Sequence, residues 1–186
     1  MHSLLRVAAA LVAGCVLASC SDDGLAVGEF EVIGAADEGV AGVQAIRVGD
    51  NTHTEAAIEY QLQPPAGGAH NPVWANCGFY EQAIPDENLV HDLEHGAVWL
   101  AYSPDLPDSD LEVLRAITRS SAKVIATPYP GLDSAEAVVA TAWARQLRLD
   151  SVDAAQLSDF VVTYLDGGQA PEPGGPCTGG IGAPGA

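Results

Sequence analysis

The sequence predicts a single α+β domain: a small, mostly antiparallel sheet covered by two or three helices, with a long Gly/Pro-rich loop between its early strands and its first helix. Three observations carry this. Short segments rich in β-branched residues open the chain after residue 28, a strongly apolar strand candidate runs from Ala97 to Tyr102, and a stretch near the C-terminus spaces its apolar residues as a helix does.

In chain order, Glu29 to Ile33, Val43 to Val48 and Ile58 to Leu62 read as strands, the last with Ile58, Tyr60 and Leu62 alternating towards one face. Pro64-Pro65, Gly67-Gly68 and Asn71-Pro72 then break regular structure and make a loop. Glu87 to His95 reads as a short helix, ended by Gly96 where the chain turns into the strand Ala97 to Tyr102. Ser109-Asp110-Leu111-Glu112 has capping-box spacing and opens a helix to about Ser120, with Leu111, Leu114 and Ile117 or Thr118 inward. Lys123 to Thr127 is a strand. Val138 to Leu149 alternates loosely, and its β-branched opening and Trp143 favour strand over helix. Asp153 caps a last helix with the stripe Leu157, Phe160, Val161, Tyr164 and Leu165, and Gly167 closes it. Gly167 to Ala186 is Gly- and Pro-rich, without apolar periodicity, and reads as coil.

The first residues address the chain. Met1 to Arg6 is a short head with one Arg, and the apolar run Val7 to Leu17 is too short to cross a hydrocarbon layer of about 30 Å as a helix. It reads as the core of a signal peptide. Leu17-Ala18-Ser19-Cys20 resembles a lipobox, so residues 1–19 are expected to be removed and Cys20 to carry a lipid. The rival Val12-Ala13-Gly14-Cys15 leaves an apolar run of only about seven residues and wastes the polar Ser21-Asp22-Asp23 as a tether. The expected organisation is a lipidated N-terminus and tether over 20–28, a globular domain over 29–166, and a tail over 167–186. The expected location is the outer face of a cell membrane, with the membrane itself as partner.

Cleavage there leaves 167 of the 186 residues, one domain's worth of chain. It removes one of the seven basic residues and none of the 25 acidic ones, so the net charge moves from −18 to −19. Such charge disfavours nucleic acid and anionic lipid surfaces and favours cations. With Cys15 in the signal and Cys20 lipidated, Cys77 and Cys177 remain as a pair in an oxidising compartment, where a disulfide is expected. It would also pin the tail at Cys177.

Three of the remaining histidines, His70, His91 and His95, lie around the Gly/Pro-rich loop and the short helix. On a helix His91 and His95 project from one face, with Glu94 beside them as a candidate for the surrounding shell. A third ligand from His70 and a fourth from His53 would supply the nitrogens that zinc or copper prefers. Each histidine also has a structural reading. His95 before a terminal Gly suits a helix dipole, His70 sits in a turn-rich loop, and His53 is compatible with plain exposure. His91-Asp92-Leu93-Glu94-His95 further fits the H-x-x-E-H pattern of a metallopeptidase with Glu94 as base, but such a site belongs on a long helix and Gly96 ends this one at once. The candidate functions are thus a metal-binding domain, a structural or protein-interaction module, and, least favoured, a metal-dependent hydrolase.

Several motifs together resemble a family. Pro64-Pro65-Ala66-Gly67-Gly68-Ala69-His70, Trp74 with Cys77-Gly78-Phe79-Tyr80, and Val90 to Gly96 are similar to domain-of-unknown-function family 3105. The resemblance continues through Thr141 to Arg145 and Ala170-Pro171-Glu172 to Cys177. It implies a secreted or membrane-anchored protein and brings no established activity. A Ser is common near Gly67 in the family pattern and this chain has none there, which argues against a serine nucleophile in that loop.

Overall fold

The computed structural model describes residues 26–28, 30–36, 39–132 and 135–185. The signal peptide and the lipidation of Cys20 fall outside the described residues.

The fold is α+β, as the sequence predicts. Its strands are β1 (Ala26–Gly28), β2 (Phe30–Ala35), β3 (Gln44–Val48), β4 (Ile58–Tyr60) and β5 (Gly78–Phe79), then β6 (Val98–Tyr102), β7 (Val124–Pro128), β8 (Val138–Ala142) and β9 (Arg145–Leu149). Helices α1 (Asp86–Glu94), α2 (Asp108–Ser120) and α3 (Ala154–Tyr164) complete it. Seven strands form one mixed sheet in the order β2-β3-β9-β8-β6-β7-β5, while β1 and β4 pair apart from it. From β2 to β6 neighbouring strands run antiparallel, and β7 joins β6 and β5 in parallel.

Strand β6 is the axis of the molecule. Every residue of Val98–Tyr102 is buried, because helices or loops cover both faces of the sheet there. Val98, Leu100 and Tyr102 share one core with Leu114 and Ile117 of α2 and with Leu157, Phe160 and Tyr164 of α3. Trp99 and Ala101 point the other way, into a core with Leu89, Val90 and Leu93 of α1, Tyr60 and Trp143. Alternation along one strand thus assigns two helices to one face and α1 with the long loop to the other.

Several local expectations need correction. Helix α2 starts at Asp108 behind Pro107, and no side chain caps it. Ser109 therefore lies inside the first turn and its capping box is not formed, while Asp108 and Asp110 place negative charge at the positive end of the helix. The loose alternation of Val138 to Leu149 resolves into two strands, β8 and β9, joined at Trp143-Ala144, where Ala144 takes φ 58°. Strand β8 is buried on both faces, which is why no clean period survives in it. Ala26–Gly28, expected in the tether, runs parallel to β4, and the third strand stops at Tyr60 instead of Leu62.

Asp153 caps α3 as expected, accepting from the backbone amides of Ala155 and Gln156 at 3.0 Å each. The Cys77–Cys177 disulfide is formed. The tail has many more anchors than Cys177. Asn76 donates its side-chain amide to the carbonyls of Gly180 and Gly182, its backbone amide reaches Ile181, and the Trp74 indole donates to Thr178.

Candidate metal centre

The short helix α1 is amphipathic in an unusual sense: its sheet-facing side is apolar and its other buried side is ionisable. Leu89, Val90 and Leu93 fill the core, while His91, Asp92, Glu94 and His95 are also buried. Gly96 makes the abrupt turn into β6, with φ +89° and its Cα so close to Asp166 that a Cβ would lie 2.7 Å from the Asp166 carboxylate. Helix and strand are thereby locked together at the point where His95 leaves the helix.

The loop that faces α1 is buried from Pro64 to His70, and its carbonyls are satisfied from outside. The Tyr60 hydroxyl donates to Ala69 O at 2.7 Å, the Ala144 amide to Ala66 O at 2.8 Å, and the Gln146 amide to Pro64 O at 3.0 Å. Gly67, at φ +140°, packs where a Cβ would press on Val48 and Trp143 at 3.0–3.2 Å. This clamps the loop and sets His70 against the helix. A single-residue bridge then brings in His53: Thr54 N donates to His70 O at 2.8 Å and His70 N to Thr52 O at 3.0 Å.

The result is a compact polar cluster. One donor atom each from His53, His70, His91 and Glu94 lies within 4.8 Å of the other three. His70 Nε2 is 3.0 Å and His53 Nε2 3.2 Å from the same oxygen, Glu94 Oε2, and Asn51 Nδ2 donates to Oε1 at 3.0 Å. His91 Nε2 lies 3.1 Å from His95 Nε2. Ligands held at about 2.0–2.2 Å around one ion are separated by roughly 3.0–3.4 Å when they are neighbours, so the His70–Glu94 and His53–Glu94 spacings fit the edges of a coordination polyhedron.

Three of the opposite ring nitrogens are spoken for. His70 Nδ1 meets Gly68 O at 2.8 Å, His91 Nδ1 meets Asn71 O at 2.7 Å, and His95 Nδ1 meets Pro176 O at 2.8 Å. A carbonyl only accepts, so each of these Nδ1 atoms carries a proton and donates it, which turns the Nε2 lone pair of a neutral ring inward. This is the arrangement by which proteins fix imidazole ligands for a metal. It also means that neutral His91 and His95 cannot hydrogen-bond to each other across their 3.1 Å gap. At His70 the hydrogen bond from Nε2 to Glu94 Oε2 needs a proton on that nitrogen too, one that an incoming ion would displace.

The electrostatics agree. Burial holds the His91 imidazole neutral, down to about 4, against the Asn71 hydrogen bond that favours its charge, and the other histidines push it the same way. Burial pushes the Glu94 carboxyl up, but the His70 charge and the hydrogen bonds from Asn51, His53 and His70 outweigh that and hold it ionised, below its ordinary value. The site therefore offers the neutral His91 nitrogen and one carboxylate, and a divalent cation would displace the protons through which His53 and His70 bond to Glu94. Asp92, one residue from His91, is pushed up to about 8 by burial despite the Ala75 amide on it and Lys123 nearby. Its Oδ1 sits 3.6 Å from Cys177 Sγ. A disulfide sulfur has no proton, so the neutral carboxyl is the donor there.

Measured against the sequence reading, the structure draws His53, His70 and His91 together and adds Glu94 to the donor set, closer in than the surrounding-shell place expected for it. His95 touches His91 but lies outside the four-donor group. Asn51 and the carbonyls of Gly68, Asn71 and Pro176 were not foreseen. The i, i+3 spacing of His91 and Glu94 could have suggested the carboxylate, whereas carbonyls leave no mark in a sequence.

Fold and cluster together define an α+β domain with a three-histidine, one-carboxylate constellation, buried except for His53, at the junction of a short helix and a clamped loop. The chain belongs to the family described as protein of unknown function (DUF3105), whose model matches residues 52–179. That range begins one residue before His53 and ends two residues after Cys177, so it encloses the whole constellation and the disulfide. Neither a curated protein nor a solved structure matches the chain.

Proposed function

We propose that this protein is an extracytoplasmic, lipid-anchored domain that binds one divalent transition-metal ion through His53, His70, His91 and Glu94. The observation that carries the reading is the convergence of three imidazoles and a carboxylate from three chain segments, with the outward Nδ1 of His70 and His91 tied to carbonyls. A structural role accounts for the carbonyl bonds and for the contacts of His53 and His70 with Glu94, but it gives no reason for His91 Nε2 to stand 3.1 Å from His95 Nε2 when both rings already hold a proton on Nδ1. Nitrogen and carboxylate donors without a thiolate suit zinc or copper(II). The chain's −18 net charge favours cation capture.

A hydrolase with Glu94 as general base draws no support from this arrangement. Both Glu94 oxygens are engaged by Asn51, His53 and His70, and the side chain is only 2 % exposed. The reading of Cys20 as the lipid anchor rests on the lipobox resemblance and supplies the location.

Isothermal titration of the metal-free protein with zinc and with copper(II) tests the proposal. We expect one ion per chain, with binding lost in His91→Ala and in Glu94→Ala. Equal binding by the wild type and both variants would refute it.

A further inference from the structure

The Gly/Pro-rich tail runs against the histidine cluster at one point, and that point is next to the disulfide. Pro176 O accepts the His95 Nδ1 proton at 2.8 Å, and Pro176 is the neighbour of Cys177. Gly175 lies flat on the same ring, where a Cβ would come within 2.5 Å of two ring carbons. On the other side the Trp74 ring packs at 5.2 Å from His95 and 5.6 Å from His91. Cys77 N donates to Cys177 O at 2.8 Å, so the disulfide and a backbone bond hold the tail at the same place.

His95 is therefore oriented by the tail. It is the last residue before Gly96, just beyond the end of α1, and its own segment supplies no partner to its ring nitrogens other than His91. With Nδ1 committed to Pro176 O, its Nε2 lone pair is turned to the space beside His91 Nε2. The Gly and Pro residues that look like featureless coil in the sequence are what allow this approach, since a side chain at 175 would displace the ring.

We infer that the disulfide-tethered tail is a working part of the metal centre: it positions His95 so that a fourth ring nitrogen stands beside the ligand His91 at the edge of the four-donor group, and the Cys77–Cys177 bond thereby sets the affinity of the site. The inference rests on the metal reading given above and adds its regulation. Reduction by an external dithiol would cleave the S–S bond, place a proton on each of Cys77 and Cys177, and leave the dithiol as its own disulfide, two electrons having passed to the protein. The Pro176 carbonyl would then lose its nearest covalent tie, and His95 its fixed direction. Partners that orient a ligating or neighbouring imidazole change metal affinity by about 10- to 100-fold when lost.

Reduction alone is a poor test of affinity, because Cys77, Cys177 and Asp92 lie within ligand reach of one another and free thiols could take the ion themselves. The test uses the full chain in detergent, titrated with zinc as wild type, as Cys77→Ala/Cys177→Ala, as His95→Ala and as the triple variant. The expected result is a loss of about tenfold or more in the double-alanine chain, a similar loss in His95→Ala, and no further loss in the triple. Wild-type affinity in the double-alanine chain, or an additional tenfold loss in the triple, would overturn the inference.

A second readout needs no metal and no substitution. In nitrogen-detected NMR of the metal-free protein, His95 is expected as the Nδ1–H tautomer with a hydrogen-bonded proton when oxidised, and as an averaged ring after reduction. An unchanged His95 signal on reduction overturns the positioning role, and it decides the matter if the double-alanine chain does not fold. A wild-type chain that takes no zinc would defeat the metal reading, and the His95 signal would still decide whether the tail positions the ring.

Discussion

Removing the His91 imidazole should abolish most of the thermal stabilisation that a bound ion confers. Ligand binding to the folded state stabilises it by RT ln(1 + [L]/Kd), about 2.7 kcal/mol at a hundredfold excess over Kd. For a domain of this size each kcal/mol moves Tm by roughly 2–4 °C, so zinc at that level should raise Tm by about 5–10 °C. His91 lies in the middle of the constellation, with its ring centre 4.9 Å from that of His53, 5.0 Å from His70 and 4.5 Å from His95. If His91→Ala weakens binding about a hundredfold, the same zinc concentration equals Kd, and the gain falls to about 0.4 kcal/mol, roughly 1 °C. Differential scanning calorimetry of wild type and variant, each with zinc and with chelator, measures both shifts. Comparing shifts and not absolute Tm removes the separate cost of leaving Asn71 O without its donor. A zinc-induced shift in His91→Ala equal to that of the wild type would refute the assignment of His91 as a ligand.

Glu94→Gln keeps the shape of the side chain but removes the one carboxylate of the donor set, and it should weaken zinc by at least tenfold in the same titration. Asp92→Asn should stabilise the protein near pH 8. The folded-state carboxyl, pushed up to about 8, keeps its proton where the unfolded chain loses it from about pH 4, so wild-type stability falls as pH rises between those values, and urea unfolding of the variant should lack that slope. His91 acts in the opposite sense over a lower window: held down to about 4, it binds fewer protons than the unfolded chain, so its contribution is lost as pH falls from about 6.5 towards 4. Gly96→Ala should cost about 1–3 kcal/mol, because φ +89° is strained for alanine and the new Cβ meets the Asp166 backbone at 3.0 Å; chemical denaturation measures it, and a neutral outcome would mean that the α1–β6 turn adapts.

Much of this architecture can be read from local pattern, and the gaps have physical causes. Strand β6 is legible because it is an unbroken apolar run buried on both faces, helix α3 because its buried residues follow the helical period, and Asp153 caps α3 by a side chain visible in the sequence. Helix α2 misleads because Pro107 already sets its start, which leaves the capping-box residues one step inside. Strand β5 has only two residues and pairs with β7 across a long stretch of chain, so no local pattern marks it.

The site divides in the same way. His91 and Glu94 are close in sequence, and their helix brings them together. His53 and His70 meet through a single-residue bridge, a tertiary event without a motif. The tail is the largest gap. Its composition argues for coil, yet Gly175 and Gly180 sit where side chains would collide with His95 and with Trp74, so the composition records close packing as much as flexibility.

The most direct test of the central claim is anomalous X-ray scattering at the zinc edge from crystals of the protein grown with zinc. The account predicts a single strong peak bonded to the Nε2 atoms of His53, His70 and His91 and to a Glu94 oxygen, at about 2.0–2.2 Å. No peak among these four side chains, with their ring nitrogens still facing one another, would contradict it.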